Sequence, residues 1–339
     1  MGHPLLAGRP GQTELLLGNE AIVRGALEAG VQVVTCYPGT PSSEVPDTFF
    51  RLSPEGDYSF EYSSNEKVAF EVAAGATLAG AMSLVTMKHV GLNVAADPLM
   101  TLAYLGAPGG FMVLSADDPG CHSSQNEQDN RAYARLAGIP CLEPASAQEA
   151  KDMARAALLF SREHNLPVML RTTTRVNHLR GPVTFGAMVP KGAPAGVPKD
   201  PRHFVPVPAF ARPMHLDLLA KLARIQAEVE KSPFNKEYGS GPVGVLASGM
   251  NRAYLADALA ETGLSAEFSV FELGFSFPLP EARILAFMKG KKALLVLEEL
   301  EPLVETAVRA LAQKAGLSMA ILGKDLGCLP RFGEYSGRI

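Results

Sequence analysis

Between residues 15 and 322, short apolar or β-branched runs alternate with helical patterns of ten or more residues, and this rhythm restricts the fold more than any other feature. Strands separated by helices of that length cannot pair as tight hairpins. Each connection must cross over the sheet, which gives mostly parallel strands covered by helices on both faces. In the first half, strands are expected at 15–17, 31–36, 58–62, 83–88, 111–116 and 167–172. Helices are expected at 19–29, from near 42, and at 65–80, 93–105, 126–137 and 146–164. Asn19 reads as the N-cap of the first of these and Gly30 as its stop.

After His178 the composition changes. Proline and glycine crowd the next sixty residues, so 181–240 reads as a linker with one embedded helix at about 216–231. The alternation then resumes, with strands at 243–247, 267–273, 293–297 and 319–322 and helices at 252–261, 281–289 and 302–315. The expected organisation is an α/β domain over 12–180, the linker 181–240, a smaller α/β domain over 241–330 and a tail, 331–339. A chain of 339 residues is long enough to bury two cores.

In open parallel sheets, ligands sit beyond the C-terminal ends of the strands. Five polar clusters fall there: Tyr37 to Ser43, Ser63 to Glu66, Lys88 with His89, Asp117 with Asp118, and Arg171 to Thr174. Ser63-x-x-Glu66 has the spacing of a capping box, in which hydroxyl and carboxylate each satisfy a free N–H of the helix start. The same carboxylate could face a ligand, because Ala69, Ala73, Ala74, Gly75 and Ala76 behind it leave room for close approach. On the residues alone both readings stand.

A lone histidine such as His89 is more often buried and hydrogen-bonded than catalytic. Lys88 before it and Gly91-Leu92-Asn93 after it, read as a flexible turn, favour a ligand-facing role. Asp117-Asp118-Pro119-Gly120 reads equally as an Asx-type turn, and His122 to Asn126 as an exposed loop, a lid or a subunit contact. Glu298 and Glu299 read as structural or interfacial.

Other features exclude classes. A formal net charge of −4 without any Lys/Arg run gives no reason to expect nucleic acid or a membrane surface. The stretch 90–116 lacks Lys and Arg but carries Asp97, Pro98 and Pro108, which argues against a membrane-spanning helix. The first ten residues lack the apolar core of a signal peptide, so a cytoplasmic protein is expected. Cys36, Cys121, Cys141 and Cys328 form no C-x-x-C pair and are expected as free thiols, with no metal ligands among the candidate residues. Cys36 and Cys121 fall inside the candidate site region.

The segment from Asn65 to Ala76 resembles the glutamate-bearing helix start in the pyrimidine-binding domain of thiamine-diphosphate enzymes. Tyr37-Pro38-Gly39-Thr40-Pro41-Ser42-Ser43-Glu44, Met87 to Asn93 and Asp117 to Asn126 resemble the α subunit of the indolepyruvate:ferredoxin oxidoreductases. The likeness runs from about residue 15 to 178 and resumes weakly over 243–301. Phe275 to Pro280 and Leu297-Glu298-Glu299 resemble the C-terminal domain shared by transketolase and the oxoacid oxidoreductases.

The resemblance implies thiamine-diphosphate-dependent oxidative decarboxylation of a 2-oxoacid, an arylpyruvate, to an acyl-coenzyme A with reduction of ferredoxin. It makes Glu66 the catalytic pyrimidine contact, where a carboxyl bonded to the ring nitrogen favours the imino tautomer that accepts a proton from the thiazolium carbon. Thr40 and Asn93 become further cofactor contacts, and Thr40, Lys88 and His89 substrate contacts. In this family a Gly-Asp-Gly domain holds the diphosphate and Mg2+, and clustered cysteines hold iron–sulfur clusters. The sequence has neither motif. A diphosphate-binding domain or subunit and an iron–sulfur domain or subunit are therefore expected as partners, within an oligomer, whether the chain is shortened or naturally split. By itself the chain is expected to be inactive. The alternatives are a noncatalytic scaffold subunit and half of a non-oxidative 2-oxoacid decarboxylase.

Overall fold

The computed structural model describes residues 3–337. Its strands, in chain order, are β1 (Thr13–Leu17), β2 (Val33–Cys36), β3 (Ser59–Tyr62), β4 (Ser83–Lys88), β5 (Phe111–Asp117), β6 (Cys141–Leu142) and β7 (Val168–Thr173), then β8 (Arg180–Thr184), β9 (Lys236–Gly239), β10 (Val243–Ser248), β11 (Phe268–Leu273), β12 (Phe275–Phe277), β13 (Ala293–Leu297) and β14 (Ala320–Leu322).

The larger sheet has the order β12-β6-β7-β5-β4-β2-β3. All of its pairs are parallel except β12 with β6. Every residue of the central β5 is buried, as expected of a strand covered on both faces, and its sequence FMVLSAD is correspondingly almost continuous in apolar and small residues. One covering layer pairs the helix Gly18–Ala29 with the helix Ala147–His164. Their backbones nearly touch: a Cβ on Gly25 would lie 2.1 Å from the Lys151 carbonyl oxygen.

A smaller sheet of order β14-β13-β10-β11-β9 carries its own core, in which Leu246, Phe271, Ile284, Val296 and Val308 are buried. The two sheets are joined tightly. Only Gly274 separates β11 of the smaller sheet from β12, which crosses to the larger sheet and pairs with β6. No helix among the described residues is long and apolar enough to cross a membrane.

Several elements differ from the sequence reading. The first long helix begins at Gly18 with Leu17 as its cap residue, and Glu20 accepts from the Leu17 amide at 2.9 Å. Asn19 is not the N-cap. Its amide is buried and donates to the Pro41 carbonyl and to Glu44, at 2.8 and 2.6 Å. The segment 181–240 is more ordered than a linker. It opens with β8, antiparallel to β1, where Gly181 and Pro182 had signalled only a turn; an edge position tolerates proline.

Its helix spans Pro208–Val229 rather than 216–231, because Pro208 sits in the first turn, where the missing N–H costs nothing. Met214, Leu218, Ile225 and Val229 form one stripe of that helix and pack into the larger core. The smaller sheet also begins earlier than expected, at β9.

A candidate thiamine half-site at the strand ends

Strands β2, β3 and β4 end side by side, with Cys36 opposite both Tyr62 and Thr86. Beyond β3 the chain turns into the helix Glu66–Leu78. Its N-cap is Asn65, in extended conformation, whose Oδ1 accepts from the Val68 amide at 2.9 Å. The Ser63–Glu66 capping box therefore does not form, and Ser63 donates to Glu61 instead. An asparagine directly before the first helical residue reaches the third amide of the helix, so it replaces the serine two positions upstream.

This substitution of caps releases Glu66. Its side chain makes no hydrogen bond or ion pair within the described chain and is only half-buried. On one side it lies against Gly91, where a Cβ would stand 2.6 Å from both Cγ and Oε1 of Glu66. Ala69, Phe70 and Ala73 of the same helix are buried and form an apolar layer beneath it.

Thr40 follows β2 in a loop that lies against Lys88: a Cβ on Gly39 would be 2.7 Å from Lys88 Cβ. Asn19 holds the Pro41 carbonyl, the Thr40–Pro41 peptide is cis, and the next helix starts at Glu44, two residues later than expected. Thr40 is exposed, and its side chain makes no hydrogen bond among the described residues. Lys88 ends β4, and its Nζ donates to the Ser123 carbonyl at 2.8 Å.

His89 and Asn93 depart from expectation. Gly91-Leu92-Asn93 is not a turn but part of the helix His89–Val94, in which Gly91 is needed to admit the Glu66 carboxylate. His89 is wholly buried, with Nε2 3.2 Å from both Oδ1 and the carbonyl of Asn126, while Nδ1 has no partner. The ring contacts the loop that follows β5, so direct contact with a substrate requires that loop to move. Asn93 is exposed but already bonded to Gln128 and Tyr133. The structure thus brings Glu66, Thr40 and Lys88 to adjacent strand ends, and sets His89 and Asn93 against the 118–130 loop.

The other two clusters turn inward. Asp117 and Arg171, at the ends of β5 and β7, are buried and joined at 2.8 Å; Arg171 also binds Glu143 at 2.8 Å. Arg131, which sequence reasoning missed, completes the group by contacting Asp129, Glu298 at 2.9 Å and the Glu299 carbonyl at 2.8 Å, across the junction of the two sheets. Its only signal in the sequence was a lone arginine after the polar run 122–130, within the stretch expected as the helix 126–137; the structure starts that helix at Arg131.

Burial pushes the Asp117 carboxyl up to about 6 against the pull of Arg171, and pushes Glu299 up to about 7 against its bond from the Tyr335 amide. Burial acts on Asp118 in the same sense, but bonds from Ser124, Thr174 and the Ser123 amide outweigh it and hold this carboxyl below its usual range. Cys36 is buried, and burial with the nearby Asp47 pushes its thiol up to about 12, so it stays protonated. Cys121 is exposed.

These residues fit the pyrimidine half of thiamine diphosphate: a carboxylate without a partner among the described residues, a glycine gap beside it and an exposed hydroxyl in the loop after the neighbouring strand. They do not fit the diphosphate or its metal. The strand-end carboxylates Asp117 and Asp118 are committed to Arg171 and to the hydroxyls and amide of Ser124, Thr174 and Ser123, and no Gly-Asp-Gly occurs in the sequence. Among the described residues, the group with metal-ligand spacing is Glu163, His164 and Glu228. It lies at the C-terminal ends of two helices rather than at the strand ends.

The mostly parallel sheet, with helices covering it and polar residues at its strand ends, defines an α/β fold, and solved structures share that fold. One is a 2-oxoglutarate:ferredoxin oxidoreductase from Magnetococcus marinus, matched with a TM-score of 0.75 and 15% identity over 96% of this chain and 64% of that one. Another is a split-gene transketolase in an inactive β4 tetramer, at a TM-score of 0.58 and 15% identity over 91% and 88%.

The family model for pyruvate flavodoxin/ferredoxin oxidoreductase, thiamine diphosphate-binding, matches residues 24–194, and the chain belongs to that family. The indolepyruvate oxidoreductase subunit IorA of Methanothermobacter thermautotrophicus is 46% identical over 98% of this chain and 54% of its own length. The chain spans about half the length of the curated relatives it matches.

Proposed function

We propose that this chain supplies the pyrimidine half-site of a thiamine-diphosphate-dependent 2-oxoacid:ferredoxin oxidoreductase acting on indolepyruvate or a related arylpyruvate. The observation that carries this reading is Glu66: a carboxylate at a helix start, beside a glycine gap, with no partner among the described residues. The similarity to IorA sequences supports the choice of substrate class. When bound, the cofactor supplies the electron sink for decarboxylation.

The chain's own residues then have separable tasks. Glu66 holds a proton at the pyrimidine ring nitrogen, and Thr40 on the neighbouring loop offers a hydroxyl to cofactor or substrate. Lys88 offers a cation to the substrate carboxylate once Ser123 releases it. His89 and Asn93 act through the loop they hold. The diphosphate, Mg2+ and iron–sulfur clusters belong to other parts of a cytoplasmic, oligomeric complex, with coenzyme A as acyl acceptor and ferredoxin as electron acceptor. The division into 12–180, 181–240, 241–330 and a tail is part of the same proposal, with β8 and the helix Pro208–Val229 serving the first unit.

The test is reconstitution. Added to a polypeptide carrying the diphosphate-binding half, the wild-type chain restores coenzyme A-dependent oxidation of arylpyruvate, and Glu66→Gln assembles equally well but does not. Turnover by the isolated chain, or full activity of the Glu66→Gln complex, contradicts the reading.

A further inference from the structure

Between β5 and the helix Arg131–Ala137 the chain has no helix or strand from 118 to 130, yet this loop supplies partners to Lys88 at the end of β4 and to His89 and Asn93 of the helix that follows it. The Ser123 carbonyl accepts from Lys88, Asn126 meets His89, and Gln128 binds both Asn93 and the His89 carbonyl. Whatever fixes the loop therefore fixes Lys88, His89 and Asn93. Its inner support is Asp118, bonded to Ser123, Ser124 and Thr174.

Its outer support is Glu127. One carboxylate oxygen, Oε1, accepts the Gly120 amide at 2.5 Å and the Gly333 amide at 2.7 Å. Both glycines have positive φ, +85° and +81°, a conformation that other residues rarely adopt. A carboxylate accepting two backbone N–H groups is a strong link. Gly333 in turn belongs to a segment anchored beside the smaller sheet. Arg331 pairs with Glu301 at 2.8 Å, the Tyr335 amide donates to Glu299 at 3.0 Å, and Tyr335 Oη lies 2.6 Å from Lys324 Nζ. Glu334 makes two bonds of 2.7 Å to Arg175 and lies 3.3 Å from His122 of the loop itself.

We infer that Glu127 is a positioning residue, coupling the segment 331–335 through one carboxylate oxygen to the loop that holds Lys88, His89 and Asn93. The seating of that segment then sets the geometry of the substrate-facing strand ends. The importance of this geometry for turnover rests on the function proposed above, whereas the coupling itself does not.

Hydrogen exchange on the chain tests the coupling. In Glu127→Ala, amides of the 119–128 loop exchange roughly tenfold faster or more, while those of β4 and β5 keep wild-type protection and so report an intact fold. Glu127→Gln retains a carbonyl oxygen able to accept both N–H groups and restores most of the protection. Glu334→Ala, which frees the segment from Arg175 and His122, loosens the same loop to a lesser degree.

In the reconstituted complex, Glu127→Ala raises KM for the arylpyruvate several-fold with a smaller change in kcat, and Glu127→Gln reverses it. Unchanged loop exchange in a folded Glu127→Ala chain overturns the coupling, and faster exchange with unchanged KM overturns the positioning role. A wild-type complex without turnover would count against the proposed function, leaving the exchange result to decide the coupling.

Discussion

At the ends of β5 and β7, Asp117 and Arg171 are sealed inside the protein and share a network with Arg131, Asp129, Glu143 and Glu298. At the start of the helix after β3, Glu66 has no hydrogen-bond or ion-pair partner among the described residues. Both regions began in the sequence as polar punctuation after a strand. The difference lies in what covers them. β5 and β7 are central and the smaller sheet closes over their ends, so Arg131 and Arg171 had to meet carboxylates before they could leave water. β3 is the edge strand of the larger sheet, and its helix start stays open, so a carboxylate can remain unpaired until another surface meets it. Buried ion pairs mark the junction between the two sheets. On the function proposed above, the unpaired carboxylate marks the place where another surface completes the site.

Substitutions can break this contrast, and the largest effect is expected at the open end. In the reconstituted complex, Glu66→Gln lowers turnover by about 10²–10⁴-fold, while the unfolding free energy of the chain stays within about 0.5 kcal/mol of wild type. Steady-state rates and denaturant titration of the same preparation check both halves of that statement. A large loss of stability would assign Glu66 to the structural group instead.

Arg131→Met probes the closed region. It leaves Asp129 and Glu298 buried without their cation and costs about 3–5 kcal/mol in denaturant unfolding. A change below 1 kcal/mol would show that the junction does not depend on its charges.

Glu299 sharpens the comparison through pH. Burial raises its carboxyl from 4.5 to about 7 in the folded protein, so the folded state holds this proton more tightly than the unfolded chain does. Its contribution to stability is full below about 4.5 and is lost as pH rises through about 7. Glu299→Gln, which keeps an acceptor for the Tyr335 amide, is therefore expected to gain stability relative to wild type between these pH values. The gain is on the order of 3 kcal/mol, read from unfolding curves at a series of pH values. Parallel curves for the two proteins would remove Glu299 from the network.

The smallest effect separates the two caps. Asn65→Ala costs about 1 kcal/mol of stability, whereas Ser63→Ala costs less than about 0.5 kcal/mol. The reverse order would restore the capping box and with it a structural role for Glu66.

The order of strands and helices was legible in the sequence because apolar periodicity reports local burial directly. Ser83 to Lys88 and Phe111 to Asp117 could be read almost residue for residue. Elements that depend on distant partners could not. β8 is a strand only because β1 lies beside it, and β12 only because β6 does, and neither carries a periodic signal of its own. In the candidate site, the sequence set Glu66, Thr40 and Lys88 at or just after strand ends, where the structure also has them, and the family resemblance gave them their expected roles. It misjudged Gly91, whose role is to make room for Glu66, since a glycine's neighbours across space leave no trace in its own segment.

The amino-acid order by itself determined the crossover architecture, the strand-end positions of the polar residues and the family to which they belong. Tertiary structure alone decided which of those polar residues are exposed. Hydrophobic patterning acts over a few residues, whereas the pairing of Arg131 with Glu298 joins positions 167 residues apart. Whether a charge is matched or left free depends on which surfaces close over it, and that is settled only when the two sheets pack.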